Sequence, residues 1–219
     1  MTGPRFTAVL FDLDGTLTDP RIGITRSYQH ALASVGTVVD DPDELTWMIG
    51  PPLKANLTAA GVRGADVDTA AAAYYDRHWT VGVYEATVIP GVPELLADLH
   101  AAGTRLGLAT GKVTDQGHVT LDHFGLAPWF EVVVGADLDR GRVEKDDIVR
   151  HALDELGSPP VDRCAMVGDR RFDIEGAQAV GLTSIGVTWG YAQPGELAAA
   201  SPDLVATTVD ELRAFLLGL

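Results

Sequence analysis

Phe6-Thr7-Ala8-Val9-Leu10-Phe11-Asp12-Leu13-Asp14-Gly15-Thr16-Leu17-Thr18 is the stretch whose reading decides the fold. Phe6 to Phe11 is a short, mostly apolar run that stops abruptly at an aspartate. Asp14-Gly15 then supplies a turn. The strand delivers two carboxylates, Asp12 and Asp14, at its carboxyl end, which matters if it belongs to an open parallel sheet. In such sheets, ligands sit outside the carboxyl ends of the strands.

Outward from that strand the chain changes character twice. Residues 18–86 read as all-helical. A helix over 21–36 closes on Gly36, a second starts at Asp41-Pro42, a third follows Pro51-Pro52, and a fourth runs from Asp66 to about Glu85 through Ala70-Ala71-Ala72-Ala73. From residue 87 onward, helices and strands alternate. Helices over Val92–Ala102, Thr114–Phe124, Glu144–Leu156 and Ile174–Val180 each close on a glycine. Strands are expected at Arg105–Thr110, Phe130–Val134, Cys164–Val167 and Ser184–Val187, with a last helix at Val209–Leu217. The alternation predicts an α/β fold: a Rossmann-like, doubly wound parallel sheet with helices on both faces. The domains would be 1–17 with 87–219 as the α/β core and 18–86 as an inserted all-helical cap.

The strand ends collect the chemistry. The first carries Asp12 and Asp14, the second Thr110-Gly111-Lys112, and the fourth Gly168-Asp169 with Asp173 one turn on. Lys145 opens the helix before the fourth strand. Several carboxylates this close cannot all ionise without a compensating cation. Oxygen ligands suit Mg²⁺, and no His/Cys spacing suggests zinc. Beside Mg²⁺, an ionised aspartate can attack phosphorus, and a second carboxyl two residues on can move the leaving-group proton. A hydroxyl, backbone N–H groups and a lysine would hold the remaining phosphoryl oxygens.

Asp12-Leu13-Asp14-Gly15-Thr16-Leu17-Thr18, Thr110, Lys145 and Gly168-Asp169-Arg170-Arg171-Phe172-Asp173 resemble the four ordered motifs of the haloacid dehalogenase superfamily. Within it the chain resembles the phosphoglycolate-phosphatase-like branch with a helical cap after the first strand. Val167-Gly168-Asp169 to Asp173, running into Gly176-Ala177, together with Ile49-Gly50-Pro51-Pro52-Leu53 in the helical block, is similar to its 5′-nucleotidase-like members. The resemblance implies a Mg²⁺-dependent phosphatase that hydrolyses a small soluble phosphomonoester through an aspartyl-phosphate intermediate. It implies Asp12 as nucleophile and metal ligand, and Asp14 as acid/base with its backbone carbonyl on the metal. Thr110 and the Gly111 N–H would bind phosphate, with Lys145 ordering the phosphoryl group. Asp169 would be a direct metal ligand, and Asp173 would act in a second layer or through water. Gly111 departs from the family, which often has Asn or Ser there. Phosphomutase chemistry on the same fold and a catalytically silent binding module are the alternatives. Dehalogenation is disfavoured by Asp14, which dehalogenases of this superfamily lack.

The remaining residues receive plainer readings. Leu106 and Val113 break the P-loop pattern around Lys112, which is expected to be a solvated rim lysine. Arg170 and Arg171 read as a solvated turn. The six histidines read as structural or surface groups, and Tyr74, Tyr75, Trp79 and Tyr84 as cap core. Arg26 and Lys54 are candidates for contacting a second anionic or polar group of the substrate. In composition the chain is that of a folded protein, 46% hydrophobic and 21% charged over 219 residues. Its 31 acidic against 16 basic residues, a formal charge of −15, disfavour nucleic-acid polymers and anionic membrane surfaces. The lone cysteine, Cys164, excludes an internal disulfide and reads as a core thiol. The N-terminal apolar run is too short for a signal peptide, and no stretch approaches the ~20 apolar residues of a membrane span. A cytoplasmic location is expected.

Overall fold

The computed structural model describes residues 4–137 and 139–219. The chain forms two compact units, Met1–Asp19 with Val88–Leu219, and Pro20–Thr87. In the first unit, the strands β1 (Ala8–Phe11), β4 (Arg105–Val113), β5 (Val132–Ala136), β6 (Cys164–Gly168), β7 (Thr183–Val187) and β8 (Leu204–Ala206) form one sheet in the order β5-β4-β1-β6-β7-β8. Every neighbouring pair is parallel. The short strands β2 (Thr18–Asp19) and β3 (Thr87–Val88) pair as a separate ribbon.

Apolar side chains on both faces explain why the central strands read as continuous hydrophobic runs. Val9 and Phe11 share one core with Leu95, Leu96 and Leu99 of α4 (Val92–Ala101), Leu121 of α5 (Thr114–His123) and Leu212 and Leu216 of α9 (Val209–Leu217). Ala8 and Leu10 face the other core, with Ile148, Val149 and Ala152 of α6 (Lys145–Glu155) and Ala177 of α7 (Arg171–Val180). The expected doubly wound α/β sheet is therefore present. Its winding runs outward from β1 through β4 to β5, then crosses back to β6, so the strand order reverses around β1. That reversal opens the crevice where such sheets bind ligands.

Several boundaries differ from expectation for physical reasons. β4 runs three residues past Thr110. It pairs Ala109 with Val134 and Val113 with Ala136, so four steps on β4 match two on β5. Thr110-Gly111-Lys112 thus forms a bulge that lifts these residues out of the ladder. Gly135 makes this possible, because a Cβ there would overlap the Lys112 carbonyl oxygen. α7 starts at Arg171 rather than Ile174, because the Asp173 carboxylate accepts from the Arg170 N–H at 3.0 Å and caps the helix. The short helix α8 (Glu196–Ala200) and β8 carry too few residues to show a period, and neither was anticipated.

The second unit is helical: α1 (Arg21–Ser34), α2 (Leu53–Ala59) and α3 (Asp66–Thr80), with 3₁₀ turns at Pro42–Met48 and Gly82–Tyr84. The segment after Asp41-Pro42 is 3₁₀ rather than α, cut to seven residues by Gly50-Pro51-Pro52. α3 stops at Thr80 because Gly82 brings the backbone against α1, where a Cβ on Gly23 would overlap the Gly82 carbonyl. Asn56 ties this unit together, donating to the Tyr28 hydroxyl at 2.8 Å and to the Met48 and Pro51 carbonyls. Tyr74 is buried and stacks on buried His78 at 5.3 Å, whereas Tyr84 is exposed. No helix among the described residues is long and apolar enough to cross a membrane. Cys164 is a buried free thiol.

The outer edge of the sheet supplies a stability test. The Asp203 carboxylate accepts from both the N–H and the hydroxyl of buried Ser184, each at 2.8 Å, and these donors hold its pKa below the ordinary value. Asp203→Ala is expected to cost about 1–3 kcal/mol in urea unfolding at neutral pH. A lowered folded pKa means that this contribution is present above the unfolded value and disappears as pH falls through the folded one. The wild-type and variant curves should therefore converge below about pH 4.

Candidate active site

The site grows from the turn after β1. Asp12 continues the strand, its N–H bonded to the Val167 carbonyl at 2.9 Å. Gly15 takes φ +82°, and its N–H closes the turn on Thr18. Lys145, the first residue of α6, reaches Asp12 Oδ1 at 2.8 Å, Asp173 Oδ1 at 2.6 Å and the Ala109 carbonyl at 2.9 Å. One ammonium therefore joins the end of β1, the middle of β4 and the start of α7. Burial alone would push this ammonium's pKa down. The charges of Asp12 and Asp173 outweigh it and hold the pKa above its usual value.

Carboxylate oxygens of Asp12, Asp169 and Asp173 lie within 4.8 Å of one another, and all three residues are buried. Burial, reinforced by Asp173 and Asp12, drives the Asp169 carboxyl well above the usual carboxylate range. Burial likewise raises Asp173 to about 6 despite Lys145. Asp169 Oδ2 accepts from the Tyr191 N–H at 2.6 Å, while buried Oδ1 has no hydrogen-bond partner among the described residues. Both Asp173 oxygens are engaged, one by Lys145 and one by the Arg170 N–H.

The second motif corrects one expectation. Lys112 is not a solvated rim lysine: its side chain is only 10% exposed, and its ammonium contacts Asp14 Oδ2. The bulge in β4 turns it inward. Burial raises the Asp14 carboxyl above its ordinary value, with Lys112 opposing the rise. Thr110 is buried at the head of the bulge, its Oγ1 accepting from the Lys112 N–H at 3.3 Å. Gly111 is exposed, and a Cβ there would meet nothing within 4 Å, so packing does not demand the glycine.

These contacts set a charge balance. Asp12, Asp14, Asp169 and Asp173 contribute four carboxylates, while Lys112 and Lys145 contribute two ammonium groups. Were all four ionised, two negative charges would remain to be offset, and burial already pushes the Asp14, Asp169 and Asp173 carboxyls upward. A divalent cation would match that deficit, and the open Asp169 Oδ1 offers it a ligand atom. The residues present thus fit a hard divalent metal.

A second correction concerns Arg170, which is not on a solvated turn. It is 8% exposed and paired with Glu196 at 2.9 Å, and Glu196 also accepts from the Arg171 and Gln193 N–H groups. This pair ties the start of α7, and with it Asp173, to α8. Arg171 is exposed, as expected, although it opens α7 and does not lie in a turn. In the helical unit, Arg26 pairs with Glu85 at 3.1 Å and exposed Lys54 with Asp68 at 2.7 Å. Sequence reading missed Trp189, Gly190 and Tyr191, which follow β7. A glycine between two aromatics just past a strand was the available signal.

A sequence model of the haloacid dehalogenase-like hydrolase family matches residues 9–187. The chain belongs to that family. Among its relatives, the 5′-nucleotidase of Pseudomonas aeruginosa is 40% identical over 95% of both chains. Tyrosine-protein kinase PtkA of Mycobacterium tuberculosis is 41% identical over 94% of this chain and 70% of its own length. A crystal structure of a predicted phosphatase from Clostridium acetobutylicum superposes with a TM-score of 0.90 at 37% identity, covering 98% of this chain and 99% of that one. The PtkA structure gives 0.84 at 38%, covering 99% of both. The fold and the resemblance carried by the four motifs agree with these findings, and the chain is a hydrolase-family enzyme.

Removing Glu196 would leave the Arg170 guanidinium buried without its carboxylate. Glu196→Ala is expected to cost about 3 kcal/mol or more in chemical unfolding, with Glu196→Gln costing less because it keeps an acceptor. Equal midpoints for wild type and Glu196→Ala would show that the pair contributes nothing to stability.

Proposed function

We propose that the protein is a Mg²⁺-dependent phosphatase that hydrolyses a small soluble phosphomonoester through a phosphoryl-aspartate on Asp12. The observation that carries this reading is the convergence of Asp12, Lys145, Asp169 and Asp173 at the carboxyl ends of β1 and β6, with Lys145 Nζ 2.8 Å from Asp12 Oδ1. Asp12 would attack phosphorus along the line of the leaving oxygen, with Lys145 holding its carboxylate in place. Burial keeps the Asp14 carboxyl inclined to hold a proton, which it would give to the leaving oxygen and later take from the attacking water. Thr110 and the Gly111 N–H would hold phosphoryl oxygens, and the bulge presents them clear of the ladder. Mg²⁺, held by Asp12, Asp169 and the Asp14 carbonyl, with Asp173 acting through water, would neutralise charge on the phosphoryl group.

For the substrate, a nucleoside monophosphate is the first candidate, on the likeness to the Pseudomonas nucleotidase. Arg26 and Lys54 are the helical unit's candidates for recognising the group beyond the phosphoryl. Each already has a carboxylate partner, which a substrate anion would displace. A second reading comes from the 41% identity to a protein named tyrosine-protein kinase: transfer of the phosphoryl group to a tyrosine hydroxyl instead of to water.

Turnover of a phosphometabolite panel that includes nucleoside monophosphates should vanish in a chelator and return with Mg²⁺, less well with Ca²⁺. Asp12→Asn is expected to lower kcat roughly 10³-fold or more. Asp14→Asn should lower it ~10²-fold, most severely for esters with poor leaving groups. Mass spectrometry of the quenched wild-type enzyme should find the phosphoryl group on Asp12. Substantial turnover by Asp12→Asn would sink the reading. ATP-dependent labelling of a tyrosine peptide, without release of phosphate from the panel, would favour the kinase reading instead.

A further inference from the structure

The segment just after β7, Trp189-Gly190-Tyr191, takes no part in the chemistry above, yet it touches the metal cluster at its most exacting point. Gly190 does not adopt the positive φ that ordinarily calls for glycine. Space calls for it instead: a Cβ at Gly190 would overlap the Cβ and Oδ2 of Asp169. Gly15, on the turn after β1, meets the same carboxylate, and a Cβ there would also overlap Asp169 Oδ2. The Asp169 side chain is thus gripped by two backbones that lack side chains. Tyr191 completes the grip by donating its N–H to Asp169 Oδ2 at 2.6 Å. Trp189 fastens the segment to the turn itself, its indole N–H reaching the Thr16 carbonyl at 3.1 Å. The Tyr191 hydroxyl contacts Asp19 farther along the same stretch.

From this geometry we infer that Trp189-Gly190-Tyr191 is a positioning strap that fixes the Asp169 carboxylate with Oδ2 occupied and Oδ1 presented to the divalent metal. The inference deepens the proposed function and rests on it. A carboxylate held by one oxygen cannot rotate to offer both to an ion, so it binds through a single oxygen at a set direction. Groups that orient a metal ligand in this way are worth roughly 10–100-fold in metal affinity. The strap acts through Asp169 and touches neither substrate nor phosphorus, so its signature is metal affinity.

The test titrates Mg²⁺ into the purified protein without substrate, followed by calorimetry and by the metal-dependent rise in melting temperature. Gly190→Ala is expected to weaken Mg²⁺ binding roughly tenfold or more. Trp189→Phe keeps the packing ring but loses the bond to Thr16, and should weaken it roughly threefold. In turnover assays both variants should need more Mg²⁺ for half-maximal rate and recover most of kcat at saturating metal. A purely structural defect would reduce the number of binding sites and leave their affinity alone. If Gly190→Ala does not fold, Trp189→Phe decides the matter. Wild-type affinity in the folded variants would overturn the strap alone, whereas wild-type protein that takes up no Mg²⁺ would overturn the metal site as well.

Discussion

The ammonium of Lys145 is the interaction on which the rest of the site depends. Without it, Asp12 and Asp173 would be like charges a few ångströms apart in a buried setting, with no cation between them. With it, the end of β1, the middle of β4 and the start of α7 are fixed by one group on a fourth element, α6. The cost of burying that lysine is met by two carboxylates and the Ala109 carbonyl. Lys112 repeats the device on Asp14 at smaller scale. Carboxylates still outnumber ammonium groups in the cluster, so a cation would relieve the crowding that a further anion alone would worsen.

Backbone proximity is the second constraint. Gly15 and Gly190 let two loops close on Asp169. Gly168 does the same for Asp173, where a Cβ would overlap the Asp173 side chain, and Gly135 admits the bulge that carries Thr110. These glycines occupy positions where a methyl group would displace a functional carboxylate or the strand that frames it. Rigid placement of charged groups therefore comes from missing side chains as much as from hydrogen bonds.

How much of this was legible depended on the range of the interaction. Asp12, Asp14, Thr110, Lys145, Asp169 and Asp173 could be singled out because each follows an apolar run or opens a helix, so its place on the strand-end rim is a local property. Lys112 and Arg170 were misread because a charged residue in a turn looks solvated until its partner is known. Those partners, Asp14 and Glu196, lie 98 and 26 residues away. The Trp189–Tyr191 strap was missed for the same reason: its sequence signal, a glycine between two aromatics, does not name the distant partners, Thr16 and Asp169. β8 escaped because three edge residues cannot display a period, and the early start of α7 because its cap is Asp173, which had been given only a chemical reading.

The register of β1 has a consequence for how the chain comes to be folded. Ala8 pairs with Arg105 on one side and with Cys164 on the other. A fully buried central strand is therefore made before both of its neighbours and partnered late. At ordinary synthesis rates of about 5–20 residues per second, its first neighbour emerges several seconds later and its second later still. Through that interval Ala8-Val9-Leu10-Phe11 is an apolar segment with both hydrogen-bonding edges open, the kind of stretch that recruits other chains. Asp12 and Asp14, placed immediately after it, put negative charge beside the exposed run in the nascent chain. The carboxylates that serve the finished site thus also stand as gatekeepers against aggregation while the sheet waits for its neighbours.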